Sequence, residues 1–87
     1  MNFLHNELGF LSGNEVVEIT LSAAANVKLM DSSSFQNYRA GRRHEYFGGH
    51  ATRSPIRMPI PRAGHWHVAI DLGGYAVSVR AGVRLLS

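Results

Sequence analysis

The chain contains no cysteine. That excludes a disulfide framework, a thiolate metal site and a cysteine nucleophile, and it suits a reducing, cytoplasmic setting. Charged side chains are sparse at 17% while hydrophobic residues reach 45%, so the expectation is a globular chain rather than a disordered one. No apolar run approaches the length that spans a membrane. Residues 1–15 lack a basic leader region and carry Glu7 inside the apolar stretch, so neither a signal peptide nor a membrane association is expected. No G-x-S-x-G elbow, P-loop or dinucleotide fingerprint occurs. With 87 residues the expectation is one domain, residues 1–87, with room for a single core.

Period-two alternation runs through most of the chain. In "EVVEITLS", Val17, Ile19 and Leu21 face one way, and Val16, Glu18, Thr20 and Ser22 the other. "NVKL" continues with Val27 and Leu29 inward. "SPIRMPI" sets Ile56, Met58 and Ile60 against Pro55, Arg57 and Pro59, and prolines on one face place this strand at an edge. "YAVSVRAGVRL" alternates longest, with Tyr75, Val77, Val79, Ala81, Val83 and Leu85 inward. Turn signals separate these runs at residues 12–14, 48–49, 61–64 and 73–74. One segment breaks the pattern. Asp31 is a good N-cap, Gly41 a good C′ residue, and Phe35 and Tyr38 share one face of a short helix between them. The expected fold is all-β: a small antiparallel β-sandwich, jelly-roll-like, with one helix around residues 32–40. Its expected core is Val17, Ile19, Leu21, Leu29, Ile56, Trp66, Val68, Ile70, Val77 and Val79.

In "GHWHVAIDLGG" two histidines flank the single tryptophan. A strand from His65 to Leu72 turns Trp66, Val68, Ile70 and Leu72 to the core and His65, His67, Ala69 and Asp71 away from it. Two histidines at i and i+2 can share a zinc ion, with His5, His44 or His50 as a third ligand. Alternation opposite a buried tryptophan accounts for both histidines without a metal, so no metal and no cofactor is expected. The serines at 32–34 read as helix-start hydroxyls. Glu15 and Glu18, three apart on a strand, fall on opposite faces and cannot work as an acid–base pair. His44 and Glu45, beside Arg42 and Arg43, read as an exposed loop in preference to a proton-transfer cluster. The paired glycines in "FGGH" read as a tight turn in preference to a close backbone approach.

The net charge of +3 is unevenly laid out. Residues 1–31 hold Glu7, Glu15, Glu18 and Asp31 against Lys28, whereas residues 39–62 hold six arginines against Glu45. Arginine presents a planar donor fork suited to carboxylate and phosphate. The favoured reading is that the arginines pair with the acids of the first third. The alternative is an anion site of Arg42, Arg43, Arg53 and Arg57, gathered by a hairpin turning at Gly48-Gly49.

The run from "VVEITLS" to "HVAIDLGG", and most specifically "NYRAGRRHEYFGGHATRSP", resembles a small bacterial family, number eighteen-eighty-three in the domain-of-unknown-function series. The resemblance implies a compact β-sandwich that sometimes stands alone and in longer chains sits beside a Toll/interleukin-receptor-type signalling domain. That family has no established activity, so the resemblance assigns no catalytic or binding residue. The strand, the capped helix and the final G-x-W-x-V strand are also similar to accessory jelly-roll modules that bind ligands or protein domains. The resulting expectation is a cytoplasmic, non-catalytic interaction or ligand-sensing module, with a protein or signalling-domain partner. The runner-up is binding of nucleic acid or a phosphorylated small molecule through the arginines. Nucleic acid is the less favoured partner, because only Tyr38, Tyr46 and Phe47 lie near them for stacking. A metal-dependent enzyme ranks third.

Overall fold

The computed structural model describes residues 3–71 and 80–86. In chain order the elements are β1 (Phe3–Leu11), β2 (Val16–Leu21), β3 (Ala25–Asp31), α1 (Ser32–Arg39), β4 (Phe47–Ala51), β5 (Ile56–Pro59), β6 (Gly64–Asp71) and β7 (Ala81–Leu86). They form two antiparallel sheets, a four-stranded one in the order β1-β6-β3-β4 and a three-stranded one in the order β5-β2-β7. This is the expected small all-β sandwich with one short helix. No helix among the described residues is long and apolar enough to cross a membrane.

The principal core lies between the sheets. Val17, Ile19 and Leu21 of β2 meet Val27 and Leu29 of β3 and Trp66, Val68 and Ile70 of β6, all buried as the alternation requires. Trp66 also donates its indole N–H to the Arg62 carbonyl at 3.0 Å, so its polar atom is satisfied at the edge of the core. Ile56 is half-buried, and Leu85 is 40% exposed although its alternation points inward. β5 and β7 are the edge strands of the smaller sheet, and their inward side chains have a strand neighbour on one side only. Tyr75, Val77 and Val79, also expected inward, lie outside the described residues, as do Leu72 and the 73–74 turn.

A second core sits on the opposite face of the larger sheet. α1 begins at the expected cap, with Asp31 Oδ1 accepting from the Ser34 N–H at 2.9 Å, and Gly41 just beyond its end has φ +74°. The helix lays Phe35 and Tyr38 on Met30, Ala69 and Phe3. β6 is consequently buried on both faces.

Two features depart from expectation. β1 was not foreseen, because its alternation breaks at a bulge between Glu7 and Gly9, with Gly9 at φ +80°. Gly48 and Gly49 do not make a hairpin turn; they lie inside β4, paired with Lys28 and Val27. Gly48 has φ +118°, and a Cβ there would stand 2.3 Å from the Val27 carbonyl oxygen, so a close strand approach demands the glycine.

Trp66→Ala is expected to cost about 3–5 kcal/mol, the usual range for removing a large core aromatic. Chemical denaturation checks this. A midpoint indistinguishable from wild type would show that the two faces of β6 are assigned the wrong way round.

Candidate functional site

The strand-to-helix junction at Asp31 carries α1 across the outer face of β6 and β3. Beneath it lies a cluster of aromatic and imidazole rings. His67 stacks on Phe35, with centroids 4.6 Å apart and planes at 8°, and on His65 at 5.0 Å and 14°. His5, brought in by the β1–β6 pairing, stacks on Phe35 at 4.1 Å and puts its Nε2 2.9 Å from His67 Nδ1. His67 Nε2 lies 2.8 Å from Ser32 Oγ. Both nitrogens of this buried imidazole are therefore engaged, with protons running either from Ser32 through His67 to His5 or the opposite way. His65 Nε2 pairs with Glu7 Oε1 at 2.9 Å.

Burial pushes the His67 pKa below the ordinary histidine value, and the neighbouring His5 and His65 reinforce the shift. Burial also lowers His5, with Glu7 opposing and Arg39 assisting. Of the three histidines weighed as a further metal ligand, His5 is the one that reaches His67, yet the near-parallel rings do not converge on a point. No group of three or more His, Cys, Asp or Glu among the described residues is placed to hold a metal ion. Ser32 and His67 have the separation of a nucleophile and its base, but His67's second nitrogen meets an imidazole where such sites commonly use a carboxylate or amide.

On the other side of α1 a groove opens between the helix start, the 42–47 segment and the turn before β6. A hollow of about 450 Å³ is lined by Asp31, Ser34, His44, Glu45, Tyr46, Phe47, Arg62 and Trp66. A second, sharing Asp31, Ser34, His44 and Glu45, continues along α1 to Asn37 and Arg43. Tyr46 and Phe47 are 45% and 47% exposed on its rim. Their surroundings are ordered by contacts: Lys28 Nζ sits 4.7 Å from the Tyr46 ring centre and 4.8 Å from that of Tyr38, and lies 3.3 Å from His44 Nε2. Arg62 lies 5.0 Å over the Trp66 ring and donates to Asp31 Oδ2 at 2.7 Å.

The four arginines considered as an anion site occupy three places. Arg42 and Arg43 are in the connection after α1, where Arg42 Nε donates to Asn37 Oδ1 at 3.3 Å and Arg43 borders the groove. Arg53 borders a small hollow near Leu21 and Ser22. Arg57, in β5, donates to Glu18 Oε2 at 2.9 Å. Without a hairpin at Gly48-Gly49, the two pairs are not brought together in the way the sequence reading required. The pairing of Arg57 with Glu18 and of Arg62 with Asp31 follows, for two of the six arginines of residues 39–62, the favoured expectation that acids of the first third take them up.

The role of His5 and Ser32 around His67, and the grouping of Arg62 with Tyr46 and Phe47, were not read from the sequence. The alternation of His5 and Glu7 ahead of the Gly9 bulge is the signal from which the first was accessible.

Compared with known proteins, the chain matches over residues 1–87 a family described as a domain of unknown function, DUF1883. No curated protein and no solved structure matches it.

The histidine cluster predicts a pH dependence. With His67 and His5 both lowered from 6.5, the unfolded chain binds protons more readily than the folded one as pH falls below that value. Stability present above about pH 6.5 is therefore lost toward the folded pKa values. Hydrogen bonds from the Ser12 backbone hold Glu15 down at about 2, and Arg84 and Arg57 lower Glu18, so these carboxylates add losses only at more acid pH. Thermal unfolding at pH 7.5 and 5.5 should show a lower Tm at 5.5, and His67→Gln should shrink the difference. Equal midpoints for wild type at both values would contradict neutral burial of the pair.

Proposed function

The chain belongs to the DUF1883 family, and we propose that it is a non-catalytic interaction module whose working surface is the groove beside α1. The observation that carries this reading is the pair of exposed aromatic side chains, Tyr46 and Phe47, on the rim of a groove in which Arg62, Asp31 and His44 are held by contacts. Aromatic residues and arginine are the side chains enriched at protein interfaces, and tyrosine and arginine are among those that concentrate binding energy there. Holding Arg62 between Trp66 and Asp31, and Tyr46 under Lys28, limits the entropy lost on docking. The partner in this proposal is a polypeptide segment, from another protein or from a signalling domain, and the setting is cytoplasmic, in keeping with the cysteine-free composition.

The test is selection of peptides from a random display library on the wild-type chain. The selected peptides are then measured on Tyr46→Ser/Phe47→Ser, with thermal unfolding confirming that the variant folds. We expect affinity to fall about tenfold or more, consistent with loss of at least about 1.4 kcal/mol at the anchors. Peptides that bind the folded variant as well as wild type would rule out the groove.

A further inference from the structure

The outer face of the three-stranded sheet carries a second, separate feature. In the β5-β2-β7 register, Glu18 of β2 stands opposite Arg57 on one side and Arg84 on the other. Its carboxylate accepts from Arg57 Nε at 2.9 Å and from Arg84 Nε at 2.6 Å. The Glu18 side chain is 7% exposed, whereas Arg57 and Arg84 remain 62% and 69% exposed. One buried carboxylate thus orients two guanidinium groups through their Nε atoms and leaves most of each fork to solvent.

Two rows along the strands, the pattern recurs without a carboxylate. Ser22 N donates to the Arg80 carbonyl at 2.9 Å, and Arg80 N donates to Ser22 Oγ at 2.8 Å. Continuing the alternation of β7 by one residue places Arg80 on the same face as Arg84. Arg53, in the connection before β5, borders a hollow of about 120 Å³ that includes Ser22, Thr52 and Ser54, where Ser54 Oγ accepts from the Leu21 N–H at 2.8 Å. Between the two rows lie Thr20 and Gly82, directly paired and small. Two strand spacings across and four residues along make a patch of about 10 by 13 Å, with Arg57, Arg84 and Arg80 at three corners and the Arg53 connection beside the fourth.

Three charges on this patch are not offset by Glu18. The nearest other acid in sequence, Glu15, turns its carboxylate to the backbone of Ser12, Gly13 and Asn14. The exposed aromatics among the described residues belong to the other sheet or its connections, so the described part of the patch offers phosphate contacts without stacking platforms. That combination favours a duplex over a single strand. The patch also has the scale of the roughly 12 Å major groove, which lets its corners meet phosphates on both strands.

We infer that the outer face of the β5-β2-β7 sheet binds the phosphate backbone of double-stranded nucleic acid without sequence preference, through Arg53, Arg57, Arg80 and Arg84. This surface is independent of the groove beside α1. It shares Arg53 and Arg57 with the anion site considered from sequence, and replaces Arg42 and Arg43 with two arginines from β7 and its approach.

The test is fluorescence anisotropy with labelled duplexes of two unrelated sequences, from 50 to 200 mM salt. Variants are Arg80→Gln/Arg84→Gln, which leaves Glu18 paired with Arg57, and the off-face control Arg42→Gln/Arg43→Gln. Wild type should bind both duplexes equally, with log affinity falling against log salt at a slope of no more than about −3.6 for four phosphate contacts. The face variant should lose roughly tenfold or more at 50 mM and about two units of slope. The control should retain wild-type binding, and thermal unfolding should show both variants folded. Absence of duplex binding at 50 mM would overturn the inference, as would an equal loss in the control. Tighter binding to single strands, or binding confined to vesicles of anionic lipid, would overturn it as well.

Discussion

Burial of β6 on both faces is the constraint on which the rest of the structure depends. A strand covered on one face only can leave alternate residues polar and wet. Here Trp66, Val68 and Ile70 fill the space between the sheets while His67 and Ala69 lie beneath α1. The polar atoms on the second face must then find protein partners. His67 finds His5 and Ser32, and Asp71 accepts from the Tyr38 hydroxyl at 3.2 Å. Burial, followed by the Asp71 charge, raises Tyr38 to about 12, which keeps that hydroxyl a donor at any physiological pH. Imidazole suits this position because its neutral form is accessible near pH 7 and presents one donor and one acceptor.

The same constraint positions the groove. An eight-residue helix has little stability of its own and is held by what it covers. Phe35 and Tyr38 supply that apolar cover, and the Ser32–His67 contact ties the first turn to the sheet. The 42–47 segment leaves from the end of α1, while Asp31 at its start holds Arg62. Both walls of the groove thus border α1, and each also joins the larger sheet directly, one through the pairing of Phe47 with Leu29 and the other through Arg62 on Asp31 and Trp66.

What the sequence disclosed, and what it did not, follows from how far each signal reaches along the chain. The inward faces of β2, β3 and β6 needed only alternation, and α1 needed only Asp31, Gly41 and the spacing of Phe35 and Tyr38. β1 was hidden because the bulge at Glu7–Gly9 shifts its alternation midway. With β1 hidden, His5 entered only as one of three histidines that could join a metal, and its nearness to His67, 62 positions away, rested on no more than the short alternation of His5 and Glu7 ahead of the bulge. Gly48 shows a different limit: a turn and a close strand approach both exclude a Cβ, and the letters of the sequence are identical for the two. The arginines show a third. Clustering along the chain pointed to Arg42 and Arg43, but a sheet gathers residues across strands, and register places Arg84 opposite Glu18 from 66 positions away.

Charge distribution completes the physical picture. The four acids of the first 31 residues all have structural engagements: Glu7 with His65, Glu15 with its own turn, Glu18 with two arginines, and Asp31 with the helix start and Arg62. Carboxylates held this way are taken up locally and neutralise little of the surface beyond their immediate partners. An excess of +3 spread evenly over a small domain would amount to little, but the acids fix where it is expressed. Beside α1, Asp31 offsets Arg62 and the exposed character is aromatic. Across the core, a single carboxylate serves two arginines and two more lie a short step along the strands, so that face carries a positive excess of its own, apart from the one that Arg39, Arg42 and Arg43 make around the end of α1. On the proposed readings, the groove beside α1 and the arginine face belong to different sheets and share no side chain, so the two would not compete for the same residues.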